Sequence, residues 1–199
     1  MRGLFIVLEG IDGCGKSTQA RMLARWLRSM GYEVVQTDEP TDGPIGAFIR
    51  KILRGEVRVP ISAEVNLFAA DRMWHLGNVI LPALRQGKVV ISERYVYSSI
   101  AYQASRGATV GEILAANRCA MNPDLAVLLD VTPEISARRM RKSLDEFESD
   151  GSLQRAVRER YLALVREGKL VLVDGSCDPK KVQEEVRRLV KPLLRRLSE

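Results

Sequence analysis

The sequence predicts an α/β fold in three layers: a five-stranded parallel sheet with helices on both faces. Three observations carry this expectation. Five short apolar or β-branched runs, at residues 4–8, 33–36, 89–92, 125–131 and 170–173, recur along the 199 residues. Such runs read as strands buried on both faces, as parallel strands are. Longer amphipathic stretches separate them, at 17–30, 44–54, 62–85, 98–105, 110–121, 133–141, 153–166 and 179–197. Strand–helix alternation of this kind implies crossover connections and helices covering the sheet. Finally, the first apolar run leads directly into a glycine-rich loop, and that loop opens straight onto the first helix.

Taken in order, the first strand is the unbroken Leu4-Phe5-Ile6-Val7-Leu8, and the loop after it is Gly10-Ile11-Asp12-Gly13-Cys14-Gly15-Lys16-Ser17. This is G-x-x-x-x-G-K-S in the strand–loop–helix context that gives the pattern meaning. Backbone N–H groups at a helix N-terminus cradle polyphosphate, the lysine reaches the outer phosphates, and the Ser17 hydroxyl reaches Mg²⁺. The pattern therefore predicts nucleoside triphosphate binding. Cys14 reads two ways: a small loop filler, or a thiol made reactive by the helix N-terminus and Lys16.

Farther along, Ser62 with Asn66 beyond it reads as the cap of the 62–85 helix, and Thr132 before Pro133 as the next cap. Residues 142–151 are polar and weakly periodic, the best candidate for a mobile flap. The last helix, around Val182-Gln183-Glu184-Glu185-Val186-Arg187-Arg188-Leu189-Val190, has apolar residues at helical spacing, and its basic residues read as a solvated face. The chain is expected to form a single domain over residues 1–199, with a lid at about 136–152.

The formal charge of +6 admits nucleic-acid binding or a site that holds several phosphates at once. No RRM, KH, zinc-finger or helix-turn-helix signature favours nucleic acid. No apolar run approaches the ~20 residues that span a bilayer, and the N-terminus lacks a signal-peptide pattern. Cys14, Cys119 and Cys177 form no CxxC pair, which fits a reducing cytoplasm. A GTPase switch is disfavoured. Asn122-Pro123-Asp124 lacks the lysine of a guanine reader, and Asp130 is followed by Val-Thr-Pro rather than by a D-x-x-G.

Two clusters point to an acceptor site. Phe68, Arg72 and His75 lie at i, i+4 and i+7 and share one helix face. A ring beside a guanidinium suits a nucleobase, although a core Phe68 and a surface ion pair for Arg72 fit the local pattern as well. The lone His75 reads as a packing or supporting residue. After the third strand, Glu93 stands where open α/β sheets place ligands. Arg94 beside it offers forked donors for a phosphate. Ser99, Tyr102 and Gln103 then make one polar patch at i, i+3 and i+4.

At this point the chain resembles the thymidylate kinases, a family of P-loop nucleoside monophosphate kinases. The pieces that carry the resemblance are Glu9 to Thr18, Asp38-Glu39-Pro40-Thr41, Phe48-Ile49-Arg50, Leu67 to His75, Glu93-Arg94-Tyr95 with Ser98-Ser99 and Ala101-Tyr102-Gln103, and Asn122-Pro123-Asp124. The resemblance implies the P-loop NTPase fold with a small lid, and ATP and Mg²⁺ as donor and metal. It implies dTMP as the acceptor, and a homodimer built on the 62–85 helix. Gly10, Asp12, Gly13, Cys14, Gly15, Lys16, Ser17 and Thr18 would hold the nucleotide, and Ser17 and Glu93 the metal. Asp12, Glu39, Arg50, Phe68, Arg72, Arg94, Ser99, Tyr102 and Gln103 would hold the acceptor. Within that set Arg50 and Arg94 clamp its phosphate, Phe68 stacks, Arg72 donates to a thymine carbonyl, Ser99 and Gln103 meet the base edge, and Tyr102 crowds a ribose 2′-OH.

Catalysis would fall to Lys16, Arg94, Arg139 and Arg141, with Lys142 also in the lid, and the turn Asp174-Gly175-Ser176 would cup adenine. Three positions depart from the family's habit: Glu93 where Asp is commoner, Asp38 where many bacterial members carry Arg, and Gly13 where some eukaryotic members carry Arg. The last shifts the catalytic cation to the lid. Another nucleoside or nucleoside monophosphate kinase, or a P-loop binding module that hydrolyses nucleotide slowly, remains open from the residues alone.

Overall fold

Strand β1 (Leu4–Glu9) is buried at every position, because it lies at the centre of its sheet with helices above and below. The computed structural model describes residues 3–140 and 151–197. These form one five-stranded sheet in the order β2-β3-β1-β4-β5, with β2 at Val34–Asp38, β3 at Val89–Glu93, β4 at Leu125–Asp130 and β5 at Val171–Asp174. All four pairings are parallel. The edge strand β5 leaves Val171 and Leu172 exposed, whereas the inner residues Val89, Val90 and Ile91 of β3 are fully buried.

Helix α1 (Lys16–Ser29) lays Ala20, Leu23, Ala24 and Leu27 on the sheet at i, i+3, i+4 and i+7. The remaining helices are α2 (Pro44–Leu53), α3 (Ile61–His75), α4 (Leu81–Arg85), α5 (Val96–Ser105), α6 (Val110–Ala116), α7 (Pro133–Met140), α8 (Gly151–Arg166) and α9 (Pro179–Leu194), the last followed by a 3₁₀ turn. No helix among the described residues is long and apolar enough to cross a membrane.

Three sequence expectations about helices need correction. The 62–85 stretch is not one regular helix, because a π-helical turn at Leu76–Ile80 separates α3 from α4. Ser62 does not cap α3: the helix starts one residue earlier, behind Pro60, with no side-chain cap. The 110–121 helix stops at Ala116, where the Asn117 side chain turns back to Ile113 O at 2.8 Å. Thr132 does act as expected, its hydroxyl accepting from Ile135 N. Of the lid expected at 136–152, residues 136–140 continue α7 and residues 151–152 begin α8. The rest of that segment, with Arg141 and Lys142, lies outside the described residues.

The sheet order positions the site. The chain leaves β1 for β2 and β3 on one side and then crosses to β4 on the other, so the carboxyl ends of β1 and β3 flank the topological switch point. Leu8 and Glu93 are register partners there, and ligands of open α/β sheets bind at such a point.

Candidate active site

The loop after β1 is shaped by glycines at positive φ. Gly13 has φ +73°, and a Cβ there would come within 2.9 Å of Ser136 O on α7. A side chain at 13 would therefore both strain the backbone and push α7 away. Ser136 Oγ in turn donates to Asp12 O at 2.5 Å, which holds α7 against the loop. The Lys16 ammonium donates to Gly10 O and Ile11 O, each at 3.0 Å. Burial, and then Arg94, push its pKa below the ordinary lysine value. Cys14 is 2 % exposed, with its sulfur 3.7 Å from Lys16 Nζ, so the filler reading is the one the geometry supports.

Ser17 Oγ donates to Glu93 Oε2 at 2.6 Å. Asp38 is the register partner of Glu93 on β2, and its carboxyl is pushed up by burial and then by Asp42 and Glu93. Carboxylates crowded in this way, beside a hydroxyl, fit a hard cation that takes oxygen ligands. Ser17 and Glu93 are thus brought together as expected.

Six of the predicted acceptor residues, Asp12, Phe68, Arg94, Ser99, Tyr102 and Gln103, line a slot of about 190 Å³ together with Pro40, Leu53 and Ser98. That is narrower than the ~300–1,000 Å³ of drug-sized pockets, which suits one flat ring. Gln103 is 2 % exposed, and both of its side-chain polar atoms lack partners among the described residues. A buried amide without partners carries a desolvation cost that a ligand could relieve.

Arg94, which lines the slot, sits at φ +68°, a costly backbone for a non-glycine residue and one that clusters at functional sites. Its guanidinium reaches Asp12 Oδ1 at 2.5 Å and Ser98 Oγ at 3.1 Å, and stacks over Tyr102. Burial raises the Asp12 carboxyl, but Arg94 and Lys16 outweigh it and hold the group below its ordinary value. Tyr102 is pushed up to about 12 by burial, so its hydroxyl stays protonated and can donate.

Two predicted acceptor residues lie behind the slot rather than on its surface. Arg72 is 2 % exposed, paired through Nε and Nη2 with Glu39 Oε2 at 2.9 and 2.6 Å, and its guanidinium stacks over Tyr95. It touches the slot through Ser99 Oγ at 3.2 Å. A surface ion pair for Arg72 is thereby excluded: the ion pair exists, but it is buried. His75 supports the same group, with Nδ1 at 3.0 Å from Glu39 Oε1 and Nε2 at 2.7 Å from Thr37 Oγ1.

Arg50 is not brought to the slot. Its donors reach Pro40 O, Thr41 O and Asp42 Oδ1, each at 2.6 Å, bracing the loop that leads into α2. Arg139 reaches Cys14 O at 3.3 Å and Gly175 O at 2.9 Å, so it ties the phosphate loop to the turn after β5.

The residue that sequence reasoning passed over is Glu9. It is fully buried, and its carboxylate accepts from Tyr95 N at 2.8 Å, Ser98 N at 3.2 Å, Ser98 Oγ at 2.6 Å and Tyr161 Oη at 2.9 Å. Burial raises its pKa, and the contacts with Ser98, Arg94 and Tyr161 oppose that rise. Glu9 therefore fixes the start of α5, which carries the polar face of the slot. A charged residue ending a fully apolar strand was the available signal.

The family model described as "Thymidylate kinase" matches residues 8–186. The chain is 46% identical to "Probable thymidylate kinase" of Pyrococcus horikoshii, over 96% of this chain and 97% of that protein. It is 50% identical to "Probable thymidylate kinase" of Thermococcus gammatolerans, over 81% and 83%. It is 45% identical to "Thymidylate kinase" of Desulfotalea psychrophila, over 74% and 73%.

Proposed function

We propose how this chain, which belongs to the thymidylate kinase family and phosphorylates dTMP to dTDP with ATP and Mg²⁺ on the route to dTTP, divides that work among its residues. The thymine ring enters the slot, stacks on Phe68, and meets Ser99 and Gln103 with its edge. Arg72 serves the base from behind Ser99. Asp12 and Tyr102 face the sugar, and Arg94 turns its fork to the acceptor phosphate. Arg50 completes that clamp by exchanging carbonyl partners for phosphate oxygens.

The donor's phosphates lie along the loop from Gly10 to Thr18, with Lys16 exchanging Gly10 O and Ile11 O for phosphate oxygens. Ser17 and Glu93 would hold Mg²⁺, which would neutralise phosphate charge and orient the donor. Little covalent work falls to the protein: it aligns the two phosphates and places cations where charge develops. Arg139 and Arg141 are the cations assigned to that task, in a lid at 136–152 of a single domain.

The family resemblance is what supports pairing of two copies through α3, on which Met73 is 55 % exposed. Three cysteines without disulfides support a cytoplasmic home.

The observation that carries the base assignment is Gln103, buried in the lining of the slot with both polar atoms unpartnered among the described residues. A coupled ADP-release assay with thymidylate, deoxyuridylate, deoxycytidylate and RNA as acceptors tests it. Turnover should be fastest with thymidylate and absent with RNA. Equal turnover of thymidylate and deoxycytidylate would contradict a base-reading slot.

A further inference from the structure

Arg72 carries five N–H donors in a rigid plane. Four are occupied: Nε and one Nη2 hydrogen on Glu39 Oε2, the other Nη2 hydrogen on Ser99 Oγ, and one Nη1 hydrogen on Asn117 Oδ1 in a short contact. Among the described residues, a single Nη1 hydrogen is left over. Asn117 is 8 % exposed and stands just past the end of α6, 45 positions from Arg72. Its amide nitrogen is anchored on Ile113 O at 2.8 Å, which orients its oxygen as the acceptor.

We infer that Asn117 is a positioning residue for base selection: by holding one Nη1 hydrogen of Arg72 it fixes the direction of the other. The two hydrogens of a guanidinium nitrogen lie in one plane, so fixing one determines the other. The Glu39 pair runs through one carboxylate oxygen, and Ser99 Oγ and the Tyr95 ring hold the Nη2 side and the face of the guanidinium; Asn117 holds the Nη1 side.

On the reading that Arg72 donates to the base's carbonyl, that remaining donor meets an acceptor and repels a donor. A 4-oxo pyrimidine is therefore accepted, and a 4-amino pyrimidine is rejected because two N–H groups face each other. A site whose buried polar group is left unpaired discriminates more strongly than a steric one. The inference rests on the reading that Arg72 serves the acceptor base.

Steady-state acceptor kinetics of Asn117→Ala and Asn117→Asp in the full chain test it. Asp keeps the acceptor toward Arg72 but loses the donor to Ile113 O, so the two variants separate positioning from helix termination. Asn117→Ala should raise the thymidylate KM about ten- to a hundredfold. Its kcat and ATP KM should stay within about threefold, and its preference for thymidylate over deoxycytidylate should fall with the KM change. Asn117→Asp should lower the melting temperature yet keep both the thymidylate KM and the preference.

Loss of preference in Asn117→Asp equal to that in Asn117→Ala overturns the inference, as does an unchanged thymidylate KM in Asn117→Ala. Should Asn117→Ala fail to fold, Asn117→Ser removes the same reach and must show the same KM rise. Arg72→Lys, which keeps the charge on Glu39, separates the premise. Its unchanged thymidylate KM would remove the base-reading role and the inference with it. Its raised KM beside an unaffected Asn117→Ala would remove the inference alone.

Discussion

Ser17 and Glu93, 76 positions apart in the chain, meet at 2.6 Å at the carboxyl ends of β1 and β3. The contact joins the first residues of α1 to the far end of β3 and sets a hydroxyl beside a carboxylate, the pair proposed to hold the donor's metal. Glu93→Gln keeps the shape and removes the charge. The Mg²⁺ concentration for half-maximal activity should rise by roughly an order of magnitude, with a melting temperature close to that of the unaltered chain. A Mg²⁺ titration of initial rates measures this, and an unchanged midpoint would remove Glu93 from the metal site.

The Asp12–Arg94 pair sets a pH expectation. The folded Asp12 carboxyl lies below its ordinary value of 3.8. Its contribution to stability is thus fully present above that unfolded value and is lost as pH falls through the lower folded one. Asp12 is 54 % exposed, so solvent screening keeps the contribution small. The melting-temperature difference between Asp12→Asn and the unaltered chain should be flat from about pH 5 to 8. It should shrink only below 3.8. A difference that changes between about pH 5 and 7 would assign the carboxyl a raised value instead.

Glu9 and Tyr161 predict a stability effect felt at the slot. Tyr161→Phe removes contacts to Glu9 and Ser98, both at 2.9 Å. It should cost about 1 kcal/mol, or about 2–4 °C for a chain of this size. Glu9→Gln sets an amide against hydroxyl and N–H donors and should cost more, about 1–3 kcal/mol. Thermal melts with acceptor titrations check both variants, and acceptor affinity should fall alongside stability because Glu9 fixes the start of α5.

Much of this was legible in the residues, and the rest was hidden for physical reasons. The unbroken apolar run of β1, and the glycines that let α7 approach the phosphate loop at Gly13, are local signals. So is the i, i+4, i+7 face of α3, on which Arg72 and His75 are buried while Phe68 borders the slot. Depth is not local. The Glu39 partner of Arg72 is 33 positions away, and the Tyr161 contact to Glu9 spans 152. Helical spacing cannot reveal such pairings. The burial of Arg72 also changes what its removal means: deleting it strands the Glu39 charge and should destabilise the fold by about 3–5 kcal/mol, so Arg72→Ala does not report on base recognition alone. Asn117 fell inside a predicted helix because its own side chain, which ends that helix, is polar but unremarkable in pattern.

Cys14 should react slowly. With 2 % of its surface exposed, it should be alkylated after the exposed Cys119 and Cys177 in the nucleotide-free chain. Mass spectrometry of labelled peptides over time reads the order. Early modification of Cys14, slowed by ATP, would restore the reactive reading.

The central claim is that a single pyrimidine ring is held in the slot beside Phe68. Phe68 is half-buried and outside the Glu39–Arg72 pairing, so Phe68→Ala tests recognition with little disturbance of the fold. Base–aromatic stacking contributes about 1–3 kcal/mol, and the thymidylate KM should therefore rise about five- to 150-fold. The ATP KM should stay near that of the unaltered chain, as should the melting temperature without ligand. An unchanged thymidylate KM in a folded Phe68→Ala enzyme would contradict the account.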